Sequence, residues 1–131
     1  DQIEDRYRII DYKTGSGTTN FKDIAQLFDS SKSNRPEHIL QVFVYALFFA
    51  KENPNHTIFP ALYYLRSIFN NFNPSITVNK QKIADISCFF DEFTEHFNAC
   101  LQEIFDENIP FTQTKQEKNC QWCTFKEVCG R

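Results

Sequence analysis

The chain has 131 residues, a net charge of −3, fifteen Phe and five Tyr. That is long enough for one domain with a core built largely from aromatic rings, and the acidic balance excludes a generally basic nucleic-acid-binding surface. No stretch is long and apolar enough to cross a membrane, and the five cysteines, an odd number, fit a disulfide framework poorly and point to a reducing, cytoplasmic setting.

Charge is distributed unevenly. Residues 1–35 carry six Lys/Arg against six Asp/Glu, whereas Asp85 to Glu107 holds seven acids and no Lys or Arg. A polyanion is expected to approach the first region and avoid the second. The sequence has no Met and starts on Asp1-Gln2-Ile3, already close to a strand, so we read it as a piece of a longer protein with no visible signal peptide.

In chain order, Asp1 to Asp5 reads as a strand end and a tight polar turn, with Glu4 and Asp5 in solvent. Arg6 to Lys13 reads as a strand. Period-two alternation puts Tyr7, Ile9, Asp11 and Lys13 on one face and Arg8, Ile10 and Tyr12 on the other. A carboxylate and an ammonium two residues apart can hold a divalent metal and steady a phosphate; the plainer alternative is a surface ion pair. Gly15-Ser-Gly17-Thr-Thr-Asn20 is a loop of turn residues that lacks the lysine and spacing of a P-loop.

Phe21, Ile24, Leu27 and Phe28 recur at helical spacing and predict a short amphipathic helix, followed by a polar loop at residues 29–34. Pro36 and Glu37 suit the first turn of a second helix running to about Lys51. It is apolar nearly all round, hence buried, with Gln41 and Tyr45 as polar exceptions four apart on one face. Alone, these two read as a satisfied core amide and a packed tyrosine. Asn53-Pro54-Asn55 ends the helix.

Thr57 to Ile68, rich in β-branched and aromatic residues, predicts a strand; a turn at residues 70–74 and a short strand at Ile76 to Val78 follow. Ile86, Phe89, Phe93, Phe97, Cys100 and Ile104 predict a long amphipathic helix from about Ala84 to Phe105, with Cys88 and Cys100 as buried small hydrophobes. His38 and His96 read as surface or partly buried histidines. A polar tail then reaches Cys120-Gln-Trp-Cys123 and Cys129. Its plain reading is three reduced cysteines on an amphipathic turn, with Trp122, Phe125 and Val128 packing.

Three features therefore stand in a fixed order: the Asp11-Tyr12-Lys13-Thr14-Gly15 strand end, the Gln41-x-x-x-Tyr45 helix and the C-x2-C-x5-C terminus. Together they resemble the PD-(D/E)XK nuclease superfamily, and within it the RecB/AddB-like exonuclease domains with an iron–sulfur staple. The resemblance implies an α/β (α+β) restriction-endonuclease-like fold, a central mixed sheet flanked by helices and incomplete at its N-terminus. It makes residues 1–131 the C-terminal portion of such a domain and residues 108–131 the tail carrying the Cys motif.

It implies metal-dependent hydrolysis of DNA with Mg²⁺ or Mn²⁺ as the exonuclease of a helicase–nuclease in double-strand-break repair and recombination. DNA would pass as a single strand beside a helicase subunit or domain. Carried over, Asp11 and the backbone carbonyl of Tyr12 would be metal ligands, Lys13 would orient the water or offset charge on the phosphorane, and Gln41 and Tyr45 would face the site. Lys22, Lys32 and Arg35 would be DNA-binding phosphate contacts. Cys120, Cys123 and Cys129 would hold a 4Fe–4S cluster with a fourth Cys upstream. The family pattern also carries an acid on the preceding strand; Asp1 matches the last position of that pattern, which puts the principal catalytic Asp two residues earlier. The piece alone is then expected not to cleave. The rival reading is a non-catalytic module that keeps the fold and binds DNA or a partner subunit.

Overall fold

A computed structural model describes residues 1–32, 34–70 and 72–131. Ser33 and Asn71, expected in a polar loop and a turn, lie outside them. The helical and extended segments alternate as expected, with differences at their ends. Among the described residues there are six strands: β1 (Gln2–Ile3), β2 (Arg6–Lys13), β3 (Asn20–Phe21), β4 (Thr57–Tyr64), β5 (Thr77–Val78) and β6 (Gln81–Lys82). Three α-helices accompany them: α1 (Ile24–Phe28), α2 (Glu37–Glu52) and α3 (Phe90–Phe105).

The expected central mixed sheet is divided in two, β1-β2-β4 and β3-β5-β6. β1 runs antiparallel to β2, and β2 runs parallel to β4, Asp11 opposite Leu62 and Lys13 opposite Tyr64. Parallel neighbours need a long crossover, and α1 and α2 supply it. The segment before β5 joins the two sheets: Leu62 N–H donates to Pro74 O at 2.9 Å and Ile76 N–H to Pro60 O at 3.4 Å. β3 then pairs parallel with β5, and β5 antiparallel with β6.

α2 covers the face of the β2–β4 pair that carries Asp11, Lys13, Leu62 and Tyr64. Its direction follows from three contacts. Phe49, near its C-terminus, packs on Tyr7 at the start of β2 with centroids 5.0 Å apart. Gln41 meets Lys13 at the strand's far end, and His38, in the first turn, meets Tyr64. The helix therefore runs back along the strands, and its N-terminus, where the macrodipole is positive, lies over their C-terminal ends. In open α/β sheets that end of the strands is where ligands bind.

The core joins these layers. Ile39, Val42, Phe43 and Ala46 of α2 are buried with Ile58 and Leu62 of β4, Phe21 of β3 and Ile24 and Leu27 of α1. Phe93 of α3 closes it, with ring centroids 5.1 Å from Phe43, 5.4 Å from Phe28 and 5.8 Å from Phe97. Asp23 caps α1 by accepting from Gln26 N–H at 2.9 Å, and that hydrogen bond is the main reason its carboxyl titrates below the usual value.

Four expectations change. The strand predicted to Ile68 stops at Tyr64, because Leu65–Ser67 closes into a 3₁₀ turn. The long helix begins at Phe90: Ile86–Phe89 is a 3₁₀ turn, started by Asp85, which accepts from Ser87 N–H at 3.1 Å and from Ile58 N–H at 3.3 Å. Cys88 and Cys100 are exposed. The apolar repeat that suggested burial for Cys100 outruns the helix's partners; Phe93 is the last fully buried residue of α3, and Ile104 and Phe105 face solvent. Finally, α2 is not covered all round: Phe48 is 57% exposed and Tyr45 45%.

Candidate active site

Asp11 and Lys13 stand on one face of β2, as alternation requires, with 14% and 21% of their side-chain surfaces open. Lys13 Nζ lies 2.8 Å from Asp11 Oδ2 and donates to Gln41 Oε1 at 2.6 Å. Gln41 Nε2 donates in turn to the Tyr45 hydroxyl at 2.5 Å. A carboxylate, an ammonium, an amide and a phenol from a strand end and a helix face thus form one connected chain. Lys13 settles which way the Gln41 amide faces: an ammonium only donates, so it takes the amide oxygen, and the nitrogen is left for the phenol, which can accept.

Asp11 Oδ2 is buried and receives no hydrogen bond; its contact with Lys13 is an ion pair without hydrogen-bond geometry. The Lys13 ammonium offsets the charge of that oxygen from one side, and its remaining lone pair is open to a cation.

Sequence reading overlooked a second layer. Tyr64 is only 1% exposed, and its hydroxyl lies 3.0 Å from His38 Nδ1 and donates to Thr18 O at 3.3 Å. Burial, then the negative charges of Asp11 and Glu37, push its phenol above the usual value and keep it a donor. His38 could have been found, since it precedes Gln41 by three residues and Tyr45 by seven, on the same helix face. Tyr64 could not, because its place beside Lys13 depends on strand pairing.

The model for the PD-(D/E)XK nuclease superfamily matches residues 1–130. The chain belongs to the PD-(D/E)XK nuclease superfamily. No curated protein and no solved structure matches it. Small sheets flanked by helices are consistent with the restriction-endonuclease-like fold of the superfamily, whose members are generally nucleases and typically use Mg²⁺ or Mn²⁺.

The donors here suit such an ion. Mg²⁺ takes hard oxygen ligands, keeps several waters, and needs only one or two carboxylates beside substrate phosphate. The Asp11 carboxylate, with its unsatisfied oxygen, meets that description. Among the described residues no group of three or more His, Cys, Asp or Glu side chains could hold a metal ion. That matters more for the PD-(D/E)XK chain's tail. Cys120 and Cys123 are partly buried and Cys129 is exposed, and among the described residues they form no metal-holding group, so their placement lends the expected cluster no support. Trp122, Phe125 and Val128 do not pack there; they are 89%, 68% and 87% exposed.

Two of the expected DNA-binding cations make ion pairs of their own. Lys22 pairs with Asp23 at 3.3 Å and Lys32 with Asp29 at 3.4 Å, both on the surface. Lys22 and Lys32 line a recess of about 370 Å³, and Lys32 and Arg35 line another of about 450 Å³ that also includes Glu37. Lys32 lines both recesses, and Glu37 of the second belongs to the first turn of α2. Among the described residues no helix is long and apolar enough to cross a membrane.

Proposed function

We infer that this chain is the C-terminal portion of the nuclease domain of a metal-dependent DNA exonuclease of the RecB/AddB-like kind, inactive without the acid that precedes it. It would work beside a helicase subunit or domain in double-strand-break repair and recombination. The observation that carries the reading is the continuous contact from Asp11 through Lys13 and Gln41 to Tyr45, four residues 34 positions apart in sequence at their extremes and in one network in space.

In this reading Asp11 and the Tyr12 carbonyl hold Mg²⁺ or Mn²⁺. The bound ion supplies positive charge to the phosphate oxygens and a water of lowered pKa. Lys13 offsets charge that develops on the phosphate and orients the attacking water. Gln41 keeps the ammonium from collapsing wholly onto Asp11, and Tyr45 keeps Gln41 in the useful orientation. The dipole of α2 adds a fixed positive field at the strand tips. Lys22, Lys32 and Arg35 contact successive phosphates of a single strand, so binding weakens as salt rises. The cysteines enter no step.

The rival, a non-catalytic DNA- or partner-binding module, draws support from the lack of a three-ligand acidic group among the described residues. Labelled single- and double-stranded DNA, incubated with the intact protein containing this chain, separates the two. The nuclease reading expects shortening in Mg²⁺ that stops on chelation, faster on the single strand. Retention of full-length DNA on the protein, with no shortening in Mg²⁺ or Mn²⁺, would favour the module.

A further inference from the structure

The loop that follows Lys13 is held by a residue outside the network assigned above. Tyr64 ends β4 directly opposite Lys13, and its ring is buried against His38 and Phe72, with centroids 5.7 and 5.8 Å away. Its hydroxyl reaches across to the loop, donating to Thr18 O. The loop is shaped around it: a Cβ on Gly17 would strike the phenol oxygen and lie 2.7 Å from Cζ. The next carbonyl, Thr19 O, accepts from Thr77 N–H at 2.8 Å, so the loop's far end is pinned to β5. Between Lys13 and that pin, the Tyr64 hydroxyl supplies the contact that draws the chain back over the strand ends.

His38 completes the arrangement. A hydroxyl carries one proton, and Tyr64 gives it to Thr18 O. The tautomer with a proton on Nδ1 lets His38 donate to the phenol oxygen, satisfying all three groups. His38, Gln41 and Tyr45 form one stripe on α2, so a single helix face orients Lys13 through Gln41 and the loop through Tyr64.

We propose that Tyr64, oriented by His38 and accommodated by Gly17, is a positioning residue that seats residues 15–19 beside the Asp11–Lys13 pair and thereby sets how substrate phosphate meets that pair. The proposal deepens the nuclease reading and rests on it for its catalytic half; the seating of the loop can be measured without any cleavage.

Tyr64→Phe keeps the ring and removes the hydroxyl. His38→Ala removes the donor to it, and His38→Asn returns an N–H near the same place. In the intact protein, ¹⁵N relaxation should show order parameters of residues 15–19 falling toward ~0.6 or below in Tyr64→Phe and His38→Ala, with β2 unchanged near ~0.85. His38→Asn should restore them. On single-stranded DNA in Mg²⁺, kcat should fall about tenfold in the first two variants, KM should change little, and His38→Asn should recover most of the loss. An unchanged loop in Tyr64→Phe overturns the proposal, as does a loosened loop with wild-type kcat. A wild-type protein that never cleaves overturns the nuclease reading instead, and the relaxation data then decide alone whether Tyr64 holds the loop.

Discussion

Replacing Lys13 by Ala should lower the rate of DNA hydrolysis about 10²–10³-fold while leaving the fold intact. The magnitude is that of removing one preorganised charge or donor from the place where negative charge develops in a transition state. Among the described residues Lys13 Nζ alone links Asp11 to Gln41, so its loss separates the carboxylate from the helix. Some stability is lost with it, because the Asp11 carboxylate, 14% exposed, is left without its ion-pair partner. Lys13→Arg should not restore the rate: a planar fork cannot reproduce a point charge held between one carboxylate oxygen and one amide oxygen. Single-turnover rates in Mg²⁺, with thermal melting alongside, check this. A Lys13→Ala protein that cleaves at the parent's rate would remove Lys13 from the chemistry.

The largest effect on stability should come from Phe93→Ala. Phe93 is fully buried, stacked on Phe97 and tilted against Phe28 and Phe43, joining α3 to the layer formed by α1 and α2. Truncation of a buried Phe costs about 3–5 kcal/mol, from lost transfer energy and the cavity left behind. For a chain of this size that lowers Tm by roughly 10–20 °C. Phe111, 95% exposed, is the internal control, and its Ala variant should stay within about 0.5 kcal/mol of the parent. Denaturant unfolding of both variants gives the comparison. Equal small losses would mean that α3 is not docked through Phe93.

The residues show why some of this was legible in sequence. Asp11 and Lys13 share a face because strand alternation has a period of two, which no tertiary contact alters. Gln41 and Tyr45 share a helix face by the same kind of local rule. Their meeting with Lys13 was carried by the resemblance and not by periodicity, since nothing local says which helix covers which strand. Tyr64 stayed hidden for that reason: its role depends on the β2–β4 register and on a glycine 47 positions away. The division of the sheet, with β3 and β6 only two residues each, was also beyond reach, because such strands are too short to show a period. Periodicity misled at Cys100, where an apolar repeat continues past the end of the helix's partners. At the tail, a cysteine spacing says which thiolates are near in sequence and nothing about whether they converge.

Asp11 Oδ2 accepts no hydrogen bond and faces only the Lys13 ammonium, so it keeps a lone pair that a cation can take. The amide of Asp11→Asn keeps the shape, brings donors of its own and removes the charge that would hold a cation.

The most direct test is the affinity of the intact protein for Mn²⁺, followed by electron paramagnetic resonance, in the parent and in Asp11→Asn. We predict that Asp11→Asn binds Mn²⁺ at least about tenfold more weakly, by loss of an ionised oxygen ligand. Equal affinity in the two proteins would contradict the account, because Asp11 would then not be where the metal is held.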